Sequence, residues 1–469
     1  MKIAIIGAGI AGCAAYLELK KHLSETGDLD IKIYEAYDTG KDVTSEDREQ
    51  GPTHSSTLIV GGGLGIAPNG LGVIQRLDEE LLREVTRDGY VITRSNLKSK
   101  NGNLLMYIDP SDPTTRDSGE SSKKLNMVAC SRHSLWRCLR TRIPDKDIIT
   151  KRVSQVIVNP KGLNIVHFID GSEPVEADII IGADGVKSTA KRALFPEAAE
   201  DQYPPHYEGL VGIGGFIPAT GLAEFVEKGS MNFIFGGNGF FGYYFPDSNP
   251  LDPNRDNPYV VSEPGESLAW WSTYEIKECP DRSTFDMDNV SRHLRERHAE
   301  WKDPVIQRII KTARVTHMYP TWTSPPLPTW ERDGVVLLGD AAHALPSTSG
   351  QGVSQALEDC EAFVLFLAHQ MKRRDLSKPD AEKQATVKAA RQYMDLRKPR
   401  VTEILESAKR IQNSKRDMGV VREYAMYSMF KLLSFFPTAV AKPTRKIYEY
   451  NVAEEAAQII AGDSWHSYH

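Results

Sequence analysis

Two carboxylates stand at the ends of apolar runs, each beside glycine: Asp184 in IIIGADGVKSTAK and Asp340 in VVLLGDAAHALPSTSGQG. A third, Glu35, closes the run IKIY. Nothing at metal-ligand spacing accompanies them. The five cysteines (Cys13, Cys130, Cys138, Cys279, Cys360) show no CxxC, the histidines no HExxH, and His293 and His298 are wrongly spaced to share a helix face. No metal is expected. Carboxylates so placed suit hydrogen bonds to the hydroxyls of a ligand.

Glycines define the rest of that ligand. In GAGIAG, Gly7 permits a tight turn, Gly9 lets a pyrophosphate approach the backbone, and Gly12 allows close helix–strand packing. The following helix N-terminus offers free N–H groups and roughly half a positive charge. Glu35 stands where an acid accepts the ribose hydroxyls of an adenosine. The competing reading is a tight turn with no ligand. An acid here fits NAD or FAD. Asp340, more than three hundred residues downstream, has no use in an NAD site but suits a long ligand with a ribityl chain. In SGQGVSQALED (Ser349–Asp359) a helix is expected from about Gly352. Its glycines would let a flat ring lie on bare backbone, and its N-terminus would favour the negative charge of a reduced flavin. His343, close to Asp340, is expected to be a packed, hydrogen-bonded histidine more than a base. GVSQA is not the GxSxG elbow of a hydrolase.

The elements that must position these residues are legible as a pattern. Lys2–Ile6 reads as a buried parallel strand, 10–22 as a helix, and 31–34 as a second strand, a βαβ start. Helices are expected over Leu71–Leu82 and Ser134–Arg142, and strands over Val153–Val158, Leu163–Phe168 and Ala177–Ile181. From Gly209 to Tyr319 the runs MNFIF, GFFGYYFP and SLAWWSTYE predict an antiparallel sheet. Strand alternation puts Phe240, Gly242 and Tyr244 on one face and Phe241, Tyr243 and Phe245 on the other. After Val335–Leu338 the chain reads as helical, broken by Pro379, Pro399 and Pro437. The longest uncharged stretch, Gly229–Pro246, carries five glycines and reads as a β-hairpin rather than a membrane helix. YSMFKLLSFFP (Tyr427–Pro437) is expected to pack on the body rather than lie on a membrane. At 469 residues, 40% hydrophobic, 26% charged and net charge −6, the chain predicts two or three subdomains and no nucleic-acid surface. Dispersed cysteines predict reduced thiols and a cytosolic setting.

GxGxxG with Glu35, the GADG passage, and GDAAHALPSTSGQGVSQALED together resemble the FAD-dependent aromatic hydroxylases, the single-component flavoprotein monooxygenases of the para-hydroxybenzoate and salicylate hydroxylase kind. The passages GQGVSQALED and WTSPPLPTWE look most similar to fungal members that modify secondary metabolites. The resemblance spans about residues 1–400. It implies an α/β fold: a Rossmann-like FAD-binding domain of the glutathione-reductase type (1–75, 126–200 and 331–369), a β-sheet substrate domain (76–125 and 201–330) and a C-terminal helical region (370–469). It implies that Gly7, Gly9, Gly12 and Glu35 hold the adenosine and pyrophosphate. Gly62 would lie by the flavin, Arg132 would contact the cofactor, and Asp184 would support FAD and a passing nicotinamide. Asp340 would hold the ribityl chain, and Gly352 and Val353 would meet the pyrimidine edge. The sequence departs from many relatives at Ser354, where they carry asparagine, and at Lys191, where they carry arginine.

The reaction so implied inserts one oxygen atom, by hydroxylation or epoxidation, into an electron-rich aromatic or polycyclic secondary metabolite. It consumes NADPH or NADH and dioxygen and runs through a flavin C4a-hydroperoxide, with non-covalent FAD. Tyr244 is the candidate catalytic residue, its phenol orienting or deprotonating a substrate hydroxyl; a core tyrosine is the alternative. Trp270 and Trp271 read as packing. Gly212–Gly215 replaces a Trp-Arg-Gly passage of relatives acting on small phenolic acids, which hints at a larger, less acidic substrate. The rival readings are a flavin oxidase or reductase, and a non-catalytic nucleotide-binding relative.

Overall fold

The computed structural model describes residues 1–24, 27–39, 63–110, 124–197, 200–280, 286–313, 315, 318–375, 377–378, 380–412 and 415–465. Near-continuous apolar runs make buried parallel strands. Lys2–Ile6 pairs in parallel with Asp30–Glu35 on one side and Ile179–Gly182 on the other, and Ile179–Gly182 pairs in parallel with Val335–Leu337. Ile148–Thr150 and Glu331–Arg332 complete this six-stranded sheet at its two edges. Strands from three distant parts of the chain thus lie side by side with their carboxyl ends aligned. Helix Ile10–Leu23 packs on the sheet, with Cys13, Ala15, Leu19 and Leu23 fully buried, beside the long helix Gly352–Lys372.

The glycine- and aromatic-rich middle of the chain forms a seven-stranded sheet. Its order is Met318–Thr323, His206–Pro218, Ser267–Glu275, Gly239–Tyr244, Ser230–Gly236, Arg94–Ser99, Leu104–Ile108. It is antiparallel except where Ser230–Gly236 runs parallel to Arg94–Ser99. The hairpin over Ser230–Gly236 and Gly239–Tyr244 turns through Gly239, whose φ of +142° suits only glycine. The faces follow the expected alternation. Phe240, Trp271, Phe233 and Tyr244 meet on one side, and Phe241, Trp270, His298 and Trp301 on the other.

Three expectations are corrected. The helix expected over Leu71–Leu82 is two helices, Pro68–Leu77 and Glu79–Arg87, because the Asp78 side chain caps the second by accepting from Glu80 N–H. Pro399 does not break its helix, which runs Ala381–Gln412; Arg397 and Arg400 on either side of it anchor that turn to Glu358. The 427–437 stretch belongs partly to helix Val420–Leu433. This helix buries Met426 and Tyr427 but leaves Leu432 exposed, and Phe435 and Phe436 just past its end are exposed as well. Among the described residues no helix is long and apolar enough to cross a membrane.

Candidate functional site

The two distant glycine passages meet. Ala183 N–H donates to Ile6 O and Leu338 N–H to Gly182 O, so the three strands end in one row. A Cβ on Gly339 would lie 3.4 Å from Ala11 Cβ and 3.1 Å from Ala356 Cβ, which places the Asp340 turn directly against the first helix. A crevice at the carboxyl ends of parallel strands is the usual ligand position in such sheets.

The three glycines of GAGIAG differ in what surrounds them. Gly7 has φ +99°, and a side chain there would also reach Ala183 O at 2.6 Å. A Cβ on Gly12 would overlap Gly7 O at 1.9 Å. Gly9 has nothing within 4 Å, and neither has Gly352. Both open glycines sit at helix N-termini with no side-chain cap, at Ile10–Leu23 and Gly352–Lys372. Glu35 is buried, and its carboxylate accepts from Ala8 N–H (2.7 Å) and Tyr37 N–H (3.2 Å). Burial pushes its pKa up against those hydrogen bonds. Trp136 Nε1–H donates to Ala8 O (2.7 Å), fixing the turn from the other side.

Asp340 is reachable by solvent yet lies deep enough among protein atoms that desolvation pushes its carboxyl upward, with the nearby Arg132 charge pulling the other way. It stands just beyond the carboxyl end of strand Val335–Leu337. Neither Asp340 nor Arg132 bonds through its side chain to a described residue. Asp184 uses one oxygen to accept from Thr189 N–H (2.6 Å) and Ala190 N–H (3.2 Å), while its other oxygen, Oδ1, is buried with no partner. Val353 is partly buried beside Gly352. Gly62 lies outside the described residues.

A second layer holds the Asp340 turn, and no local signal in the sequence pointed to it. Asp359, fully buried on the long helix, accepts from Gly339 N–H (3.0 Å) and bonds His343 Nε2 (2.5 Å). Arg397, also fully buried, donates to Asp359 (2.9 Å), to Glu358 and to Gln355 Oε1 (2.6 Å). His343 is thus a packed, bonded histidine, tilted against Trp330 at 5.0 Å. The two departures from relatives prove to be packing positions. Ser354 is fully buried, accepts from Ala67 N–H (3.3 Å) and abuts Gly70, where two helices touch. Lys191 is buried and pairs with Asp201 (2.8 Å) and Tyr203 O (2.5 Å).

Tyr244 links the crevice to the aromatic sheet. A Cβ on Gly63 would lie 1.6 Å from its hydroxyl, so the phenol rests against bare backbone beside the glycine cluster. That hydroxyl is buried with no hydrogen-bond partner, and burial pushes its pKa far above the usual range. The same face carries Trp271, whose ring lies 5.8 Å from Tyr244, and Gly212 and Gly214. Trp271 and Phe233 are partly exposed, unlike their neighbours Phe240 and Tyr244, and so border open space. Among the described residues no cluster could hold a metal ion.

The residues present fit FAD: two open glycines at uncapped helix starts, an orphaned carboxylate oxygen, and an exposed acid with an arginine charge near it. The comparisons agree. Residues 165–396 match the family model described as an FAD binding domain. A 3-amino-4-hydroxybenzoate 2-monooxygenase of Streptomyces cremeus is 26% identical over 88% of this chain and 86% of its own. A 6-hydroxynicotinate 3-monooxygenase of Pseudomonas fluorescens is 24% identical over 76% and 80%. The fold is shared with Klebsiella pneumoniae HpxO complexed with FAD and uric acid (TM-score 0.68, 21% identity, 94% and 96% covered) and with a salicylate hydroxylase substrate complex (0.67, 20%, 97% of each). Crevice chemistry, fold and relatives converge: the chain is an FAD-dependent monooxygenase, similar in sequence to monooxygenases of hydroxylated aromatic rings and in fold to a salicylate hydroxylase.

Proposed function

We propose that the chain consumes NADPH or NADH and dioxygen to oxygenate an electron-rich polycyclic aromatic compound in the space between the crevice and the aromatic sheet. One observation carries this reading. The buried, unbonded Tyr244 hydroxyl stands where the cofactor crevice meets the substrate face, and an orphaned buried hydroxyl awaits a ligand partner. When bound and reduced, FAD supplies the activation of dioxygen. Gly9 and Gly352 leave room for its phosphates and ring, Glu35 holds the adenosine end, and Asp184, Asp340 and Arg132 hold the remainder. The Gly62 contact by the flavin remains part of the reading.

Tyr244 donates rather than deprotonates. A phenol pushed so far above its ordinary range keeps its proton at neutral pH, so it can hold a substrate oxygen but not take its hydrogen. Trp271 and Phe233 exclude water from the reacting carbon. Substrate size follows from Gly212, where a Cβ would meet only Tyr319 O at 3.9 Å. Where a side chain would project, this chain leaves space for further fused rings.

The test is to purify the yellow protein and screen simple benzoates against fused-ring phenols for stimulated NAD(P)H consumption, then to run the best compound under oxygen-18. Label in the product of a fused-ring phenol supports the reading. Rapid flavin turnover without label in any product would move the chain to an oxidase or reductase. Tight coupling with a simple benzoate would overturn the substrate class.

A further inference from the structure

The substrate face has a second polar group, on a segment far along the chain. Gln412 and the stretch 415–418 lie at the end of the aromatic sheet and are tied to it. Gln412 donates to Glu208 (2.9 Å), Arg416 pairs with Glu275 (3.1 Å) and donates to Glu208 O, and Met418 N–H donates to Gly237 O (2.7 Å). Lys415, within this stretch, turns inward. It is 7% exposed, its amine lies 4.0 Å from the centre of the Phe240 ring, and it makes no hydrogen bond or ion pair with any described residue. The charged groups around it are engaged elsewhere: Arg416 with Glu275, Asp417 with Arg297, Glu423 with Lys100.

A buried amine without a carboxylate is costly and needs an explanation. Burial alone pushes its pKa down to about 7, with no acid nearby to oppose it. The ring beneath it offers only a cation–π contact. Phe240 shares its strand face with Gly242 and Tyr244, whose backbone lies about 13 Å further along the strand, and the Trp271 ring covers Gly242 between them, so Lys415 stands at the Phe240 end of that face and the Tyr244 phenol at the other.

Resting on the oxygenase reading above, we infer that Lys415 is the polar anchor at the end of the substrate pocket remote from the flavin, binding an acidic oxygen — a phenolate, enolate or carboxylate — of a polycyclic substrate. A single ring held at Tyr244 stops short of the Phe240 end of that face, whereas a fused polycyclic substrate lying over Trp271 reaches along it. Lys415 acts here by binding and positioning. It lies too far from Tyr244 to touch the carbon being oxygenated there.

The experiment compares wild type, Lys415→Met and Lys415→Arg as flavin-loaded protein. The probes are 2-hydroxyanthraquinone and 2-methoxyanthraquinone, and binding is read by quenching of tryptophan fluorescence, since Trp271 borders the site. Wild type should prefer the phenol over its methyl ether. Lys415→Met should weaken phenol binding about tenfold to hundredfold, leave the ether unchanged, and melt at or above the wild-type temperature because an uncompensated buried amine is gone. Lys415→Arg should keep part of the preference. An unchanged phenol-to-ether ratio in Lys415→Met overturns the assignment, as does a lower melting temperature with both probes weakened together, which marks a structural lysine. Failure of the oxygenase reading looks different: no labelled product from any compound, whatever the Lys415 variants bind.

Discussion

Arg397→Met isolates the support behind the Asp340 turn. In the folded chain Arg397, Glu358 and Asp359 are all fully excluded from solvent, and the guanidinium bonds both acids and Gln355. Methionine keeps most of the volume but leaves Asp359 with only His343 and the Gly339 N–H, and Glu358 with Arg400, Asn69 and Gln355. Removing one partner of a buried ion pair typically costs about 3–5 kcal/mol. In a chain of this size that corresponds to a fall of roughly 3–5 °C in melting temperature. The acid dependence has a definite sign. For wild-type Asp359, desolvation acts to raise the pKa, but His343 and Arg397 outweigh it and the net shift is downward. The group therefore contributes stability above the unfolded carboxylate pKa, and that contribution is lost only as the pH falls through the lower folded value. Without Arg397 the folded pKa of Asp359 moves upward from its wild-type position, with His343 left to oppose burial, so less of its stabilising contribution remains at neutral pH and the difference from wild type shrinks as acidification protonates the group. The gap between variant and wild type should be widest near pH 8 and narrow toward pH 5. Flavin should also be released earlier on heating, because Asp359 holds the Gly339 N–H next to Asp340. Calorimetry with flavin fluorescence at both pH values is the assay. A variant that melts within about a degree of wild type and holds its flavin as tightly would refute the claim that this network supports the crevice.

Gly9→Val and Gly12→Val should separate cofactor binding from folding. The first enters open space and should give folded but colourless protein with nearly unchanged far-UV circular dichroism; the second overlaps Gly7 O and should reduce soluble yield. Tyr244→Phe removes a buried, unbonded hydroxyl, so ligand-free stability should hold or rise by up to ~1 kcal/mol, while peroxide released per NAD(P)H consumed should increase. Gly212→Phe should fill the space beside Tyr319 and lower kcat/KM for a fused-ring phenol by at least about tenfold with flavin content unchanged. A Gly212→Phe enzyme with undiminished turnover of that compound would place the substrate elsewhere.

By itself the sequence determined what local chemistry dictates. A run such as KIAIIGAGIAG can only be a buried strand breaking into a phosphate-sized turn, because apolar continuity, the backbone freedom of Gly7 and the absence of a side chain at Gly12 are all properties of neighbouring residues. The face alternation of GFFGYYFP was legible for the same reason: a strand has period two wherever it lies. The tertiary structure decided everything that depends on partners distant in the chain. Ser354 and Lys191 read only as departures from relatives until folding put Gly70 and Asp201 against them. Pro399 read as a helix end because local propensity cannot register Arg397 and Arg400 pinned to another helix. Lys415 drew no notice in a polar stretch, since only the fold carries its amine away from water and onto Phe240. Whether a charge is solvated or buried is set by atoms brought together from opposite ends of the chain, and no window of sequence contains them.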